Sequence, residues 1–197
     1  ILPVRVNITS ILADDAWEFW ANTIHCMLSA AVEKGIVSST DEDRFGFDRV
    51  IPGRTDPDPK KALDLPFVVE YRNRSGLTAA TVPPNFLVED AIRRLCDRFV
   101  AEHLNGLLLI LDEAHKLLQS DGVKEQLRHT FQEVERCGIV FAGESDLNTM
   151  FSDESEPFYA QALTIPLQNF TDPREVAQCA LLPLEEDERA LMSPMTM

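Results

Sequence analysis

The residues best placed to do chemistry in this 197-residue chain are Asp112, Glu113 and, two positions on, His115, in the run Leu108-Leu-Ile-Leu-Asp-Glu-Ala-His115. The aliphatics before Asp112 belong to a continuous apolar stretch, Gly106-Leu-Leu-Leu-Ile-Leu111. Such a run, bounded by Gly and Asp, predicts a parallel strand buried on both faces rather than a half-exposed antiparallel one. The acids would then emerge at the strand's carboxyl end, the edge at which open α/β sheets bind ligands. Two neighbouring carboxylates in such a setting are costly without a cation. A magnesium–triphosphate centre would suit them. Asp112 would hold Mg²⁺, directly or through a water, and Glu113 would polarise the attacking water as general base. The plain alternative is that Asp112 caps the following turn by accepting backbone N–H bonds. His115 fits either an orienting or phosphate-sensing role or simple helix packing, and Lys116 reads as a solvated helix charge.

The elements that must position these residues follow from periodicity. Residues 3–9 alternate apolar and polar and predict a strand. Over residues 14–34, Trp17, Trp20, Ile24, Met27, Leu28 and Ala31 recur every three or four positions, which predicts a helix with the tryptophans in the core. Asp14 or Asp15 can cap its start and Gly35 can end it. Residues 36–65, with three prolines between Pro52 and Pro59, predict a linker or long surface loop. Phe67-Val-Val-Glu-Tyr71 and Leu77-Thr-Ala-Ala-Thr-Val82 flank Asn73-Arg-Ser-Gly76 as a hairpin would, stopped by Pro83-Pro84. A helix over 87–103 would bury Ile92, Leu95, Cys96, Phe99 and Val100. Another over 121–136 would bury Val123, Leu127, Phe131 and Val134. A strand is expected at 139–142, a short helix at 147–151, a strand at 163–167 and a helix at 172–181, which opens Asp172-Pro173. Strands alternating with helices indicate an α/β fold, layered as a three-layer sandwich around a mostly parallel sheet.

Composition limits what such a fold does. Thirty-three acidic residues face 18 Lys+Arg, for a net charge of −15 and a pI near 4.6, which argues against direct nucleic-acid coating. The densest basic cluster, Arg93, Arg94 and Arg98, is interrupted by Asp97 and reads as a solvated helix face. No apolar run approaches the roughly 20 residues that span a bilayer. The start, Ile-Leu-Pro-Val-Arg, lacks a signal peptide's character and an initiator Met, so a piece of a longer protein is expected. Cys26, Cys96, Cys137 and Cys179 form no C-x-x-C pair and predict free thiols in a reducing, cytoplasmic setting. The sequons at Asn7, Asn73 and Asn169 read as chance.

The Asp112–Glu113 run resembles the Walker B motif of AAA+ and related STAND-type P-loop ATPases. The likeness continues in Ile139-Val-Phe-Ala-Gly-Glu-Ser-Asp-Leu147, at the place where the family has an apolar strand ending in a small polar sequence. It continues again at residues 163–176, which look like the family's fifth strand and the helix start after it. In all it covers residues 3–35 and 87–183, leaving 36–86 as an insertion in one partial domain spanning 1–197. The resemblance implies ATP and Mg²⁺ as cofactors and Glu113 as catalytic base. It also implies Asp112 as metal ligand, and Glu144 or Ser145 at the sensor-1 position, where Glu144 departs from the usual neutral residue. Protein partners or self-assembly are implied too, but no arginine lies near Tyr159 to act in a neighbour's site.

No Gly-Lys-Ser or Gly-Lys-Thr occurs anywhere in the sequence, so the loop that would grip the β- and γ-phosphates is missing. The expectation is a P-loop-like fold without its first β-α unit, cut again near Glu185, before a lid would begin. Alone it would bind ATP weakly. The missing strand would sit between those at 139–142 and 163–167. Two rivals remain at this level. Asp-Glu-Ala-His is also motif II of DEAH-type helicases, although Ala142-Gly-Glu-Ser stands where they carry Ser-Ala-Thr. A non-catalytic interaction module could keep the fold without hydrolysis. Within the ATPase reading, residues 36–82 are candidate partner-contact elements, their plain alternative being a solvent-exposed insertion.

Overall fold

A computed structural model describes residues 1–8, 15–38, 61–74 and 82–165. All its regular elements belong to one unit, Ile1–Ala162; of the second, Leu163–Met197, only residues 163–165 are described, in no regular element. The helix expected at 172–181 and the last two residues of the strand expected at 163–167 lie outside the described residues; residues 163–165 are described and form no strand.

Strand β1 spans Leu2–Asn7 and helix α1 spans Ala16–Glu33. Asp15 caps α1, its carboxylate accepting from the Trp17 and Glu18 N–H groups at 2.8 and 3.3 Å. Gly35, at φ +68°, ends it: Gly35 N–H bonds Val32 O and Ile36 N–H bonds Ala31 O, a Schellman closure that needs the left-handed residue. Helix α2 spans Pro66–Asn73 and helix α3 spans Asn85–Ala101. Strand β2, Leu107–Asp112, leads into a 3-10 turn over Ala114–Gln119 and then helix α4, Asp121–Glu133. Strand β3, Cys137–Phe141, is followed by a 3-10 turn at Ser145–Asn148 and the single turn α5, Thr149–Ser152.

The three strands form one all-parallel sheet in the order β1-β2-β3. Val4 pairs with Leu109 and Val6 with Leu111, so Leu2, Val4 and Val6 share a face with Leu107, Leu109 and Leu111. That face is buried with Trp20, Ile24, Leu28, Ile92, Leu95 and Phe99. The other face carries exposed Pro3, Arg5 and Asn7, half-buried Leu108 and Ile110, and exposed Val140. Strand β2 is therefore closed over on one side only, where burial on both was expected. The two crossovers explain this. Each moves one strand in the same direction, and right-handed connections of that kind place their helices on one face. The described residues thus make two layers, not three.

The expected hairpin is absent at its first arm. Residues 66–73 are helical because Pro66 occupies the first turn and the side chains four apart, Phe67 and Tyr71, share a face. Their rings stack at 6.4 Å, Phe67 meets Trp17 at 5.4 Å, and the Tyr71 hydroxyl donates to Glu18 at 2.9 Å. The second arm, 77–81, lies outside the described residues. With Leu65, Phe67 and Val68 in the core, this stretch is more than a solvent-exposed insertion. Helix α4 stops at Glu133, three residues before the expected end, as Val134 turns extended. No described helix is long and apolar enough to cross a membrane.

Candidate functional site

Asp112 is the last residue of β2, so the buried aliphatics before it deliver its carboxylate to the carboxyl rim of the sheet's middle strand. The chain then reverses through Glu113, which adopts the left-handed conformation (φ 59°, ψ 31°). That bend carries Ala114 back to β3, where its N–H bonds Ala142 O at 2.8 Å; Ala142 N–H in turn bonds Leu111 O at 2.8 Å. The ends of β2 and β3 are therefore laced together by backbone alone.

His115 occupies the seam. Its Nδ1 accepts the Glu144 N–H at 3.5 Å, and its Nε2 lies 3.7 Å from Glu113 Oε2. With Nδ1 an acceptor, the assigned tautomer carries its proton on Nε2, toward the Glu113 carboxylate. Gly143 makes the fit possible, since a Cβ there would lie 3.1 Å from both the N and the Nδ1 of His115. The imidazole is 17% exposed and the Glu113 side chain 43%. Asp112, Glu113 and His115 thus come together with the Glu144 backbone. The Glu144 and Ser145 side chains are exposed, and Ser145 opens the next turn.

Arg5 was not singled out from the sequence. Its guanidinium pairs with Asp112 Oδ2, while Oδ1 accepts the Glu113 N–H at 3.1 Å. The hydrogen bond from Arg5 holds the Asp112 carboxyl below the usual range; desolvation opposes this, and the Arg5 charge and the Glu113 N–H add to it. Alternation did carry a signal. Arg5 pairs with Ile110 and Asn7 with Asp112, so Arg5 and Asp112 are diagonal neighbours on one face, within reach of a long side chain. The turn-capping role weighed for Asp112 is present as well, through the Glu113 N–H.

Lys124 was missed too. It is 1% exposed, yet its ammonium meets Glu156 at 2.7 and 3.0 Å, Asp121 at 2.9 Å and the Leu118 carbonyl at 3.2 Å. It ties residues after α5 to the start of α4. Phe141, Phe151 and Phe158 pack edge-on against one another, at 5.0 to 6.3 Å between ring centres.

Among the described residues no three His, Cys, Asp or Glu side chains converge as a ready-made metal site. Asp112 could offer one carboxylate to a cation at this rim, but one of its oxygens is held by Arg5, whose side chain is 71% exposed. Such a rim suits a cation that arrives with most of its ligands on a phosphate chain, as Mg²⁺ commonly does. Compared with protein families, with curated proteins and with solved structures, the chain matches none.

Proposed function

We propose that this chain is the water-activating half of an ATP-hydrolysing core of the AAA+/STAND-like P-loop kind. The observation that carries the reading is the placement of Asp112 and Glu113 at the carboxyl rim of the middle strand of a parallel sheet, with His115 from the turn after β2 held there by the Glu144 N–H from beyond β3. Two further features agree with it. Among the described residues the outer edge of β3 has no strand partner, and the face bearing Leu108, Ile110 and Val140 is only partly covered. A phosphate-loop strand beside β3, connected right-handedly back to β1, would send its helix across that face. The loop itself would come from residues outside these 197, because the sequence contains none.

In this reading Asp112 would hold Mg²⁺, which supplies neutralisation of phosphate charge when bound. Arg5 would release Asp112 as the phosphates arrive. Glu113 would take the proton of the attacking water, and the His115 Nε2–H would orient that carboxylate. The Glu144–Ser145 corner would lie nearest the terminal phosphate.

The test is Glu113→Gln in the native protein, with binding of a fluorescent ATP analogue and steady-state phosphate release measured side by side. Binding should persist with Mg²⁺ while turnover falls by about 10²–10⁴-fold, the usual contribution of a positioned general base. Unchanged turnover removes Glu113 from the mechanism. One observation favours a second reading, a non-catalytic module of the same architecture: both Asp112 oxygens already have partners in Arg5 and the Glu113 N–H. Absence of Mg²⁺-dependent nucleotide binding in the native protein selects that reading.

A further inference from the structure

At the opposite rim of the sheet, where β2 and β3 begin, two cysteines 41 positions apart in the sequence meet. Cys96 lies on α3 and is 3% exposed; Cys137 is the first residue of β3 and is half-buried. The Cys96 Sγ sits 4.0 Å from the carbonyl oxygen of Arg136, the residue bonded to Cys137. That carbonyl is fixed from the other side, accepting the Leu107 N–H at 2.9 Å, and Gly106 approaches it so closely that a Cβ there would fall 2.1 Å away. Arg136 is itself left-handed, at φ +64°. The backbone leading into Cys137 is therefore held against Cys96 by strand pairing, and Cys137, paired with the buried Leu107, shares the sheet face on which Leu107 lies.

We propose that Cys96 and Cys137 are a redox-active dithiol that closes to an intramolecular disulfide when a small peroxide reaches it. The neighbouring Cys137 thiol eases proton loss at Cys96, against the opposing effects of burial and Asp97. Whichever of the two thiols loses its proton is the nucleophile, and the other stands beside it to close the disulfide. The thiolate attacks the peroxide O–O bond, becoming a sulfenic acid and releasing hydroxide. The second thiol then attacks that sulfur; the S–S bond forms, the S–O bond breaks, and the oxygen leaves as water. Two thiols lose two electrons and two protons, and one peroxide becomes two waters. The bond would staple α3 to β3 around the segment that carries β2, Asp112, Glu113 and α4. It depends on nothing in the ATPase reading.

The experiment treats the chain with equimolar hydrogen peroxide, blocks remaining thiols under denaturing conditions, and maps peptides by mass. Two of the four thiols should disappear, with a linked peptide holding Cys96 and Cys137, 2 Da lighter than the sum of its reduced parts and restored by dithiothreitol. A Cys26→Ser, Cys179→Ser protein keeps the pair and should lose both its thiols at the same rate. Cys96→Ala or Cys137→Ala should abolish the linked peptide. Four intact thiols, linkage through Cys26 or Cys179 instead, or equal oxidation of all four without linkage would each overturn the proposal.

Discussion

Glu113 stands in a conformation that glycine adopts freely and glutamate does not, and this gives a test that separates backbone from carboxylate. Glu113→Ala and Glu113→Gly both delete the acid; only the second relieves the left-handed residue at φ 59°. An L-residue there costs about 1–2 kcal/mol. Glycine gives back about 0.5–1 kcal/mol through the greater freedom of its unfolded chain. The difference leaves Glu113→Gly more stable than Glu113→Ala by about 0.5–1 kcal/mol, or about 1–4 °C in Tm for a chain of this size. Urea unfolding should show a higher midpoint for the glycine variant at unchanged slope. Under the proposed function both variants should be equally impaired in turnover, since each would lack the base. If the alanine variant equals or exceeds the glycine variant in stability, the bend after β2 is not strained, and the claim that the fold tolerates a cost to place Glu113 fails.

Other outcomes follow from the two ion pairs. Arg5→Ala should raise the Asp112 carboxyl pKa toward its ordinary value near 4, seen by carboxyl NMR; an unmoved titration would dissolve the pair. Because the folded-state pKa is depressed, this pair stabilises above the unfolded pKa and is lost as pH falls below about 4 through the folded value. The acid limb of the stability curve should therefore flatten in Arg5→Ala. Lys124→Met should cost about 3 kcal/mol, the low end for breaking one side of a buried ion pair, with Glu156 only partly hydrated in compensation. In the native protein Lys124 is deprotonated later than usual: desolvation, the largest single effect, is outweighed by Glu156 and Asp121 together. Its contribution is kept below the ordinary lysine pKa of about 10.4 and should disappear as pH rises through the folded value; a loss confined to acid pH would contradict the assignment.

The parts of this architecture legible in the sequence are those in which one periodicity dominates. Alternation in β1, the three-and-four spacing of α1 with its Asp15 and Gly35 signals, and the aliphatic run of β2 each have one physical solution, and that solution is present. Residues 67–71 misled because β-branched and aromatic types favour strands only where a neighbouring strand exists. Packing of Phe67 on Trp17 outweighed that local preference. Covering of β2 was overstated because a solid apolar run does not reveal which side the crossovers occupy. At the site, Asp112 and Glu113 were visible as a pattern. The left-handed bend, the Arg5 pairing and the fit of His115 on Gly143 depend on register and seam geometry, which exist only after folding. Lys124 has the look of any helix-start lysine; its burial is decided by Glu156, 32 positions away.

The one-directional winding of β1, β2 and β3 has a last consequence. A crevice opens in a wound sheet only where the progression of strands reverses and successive loops diverge to opposite sides. Between β2 and β3 nothing diverges: Ala114 and Ala142 are zipped together. A strand added beyond β3, as the proposed function requires, would reverse the progression and open the cleft at that flank, beside Gly143 and Glu144, so that a guest there would meet Glu113 from the side, across the imidazole of His115.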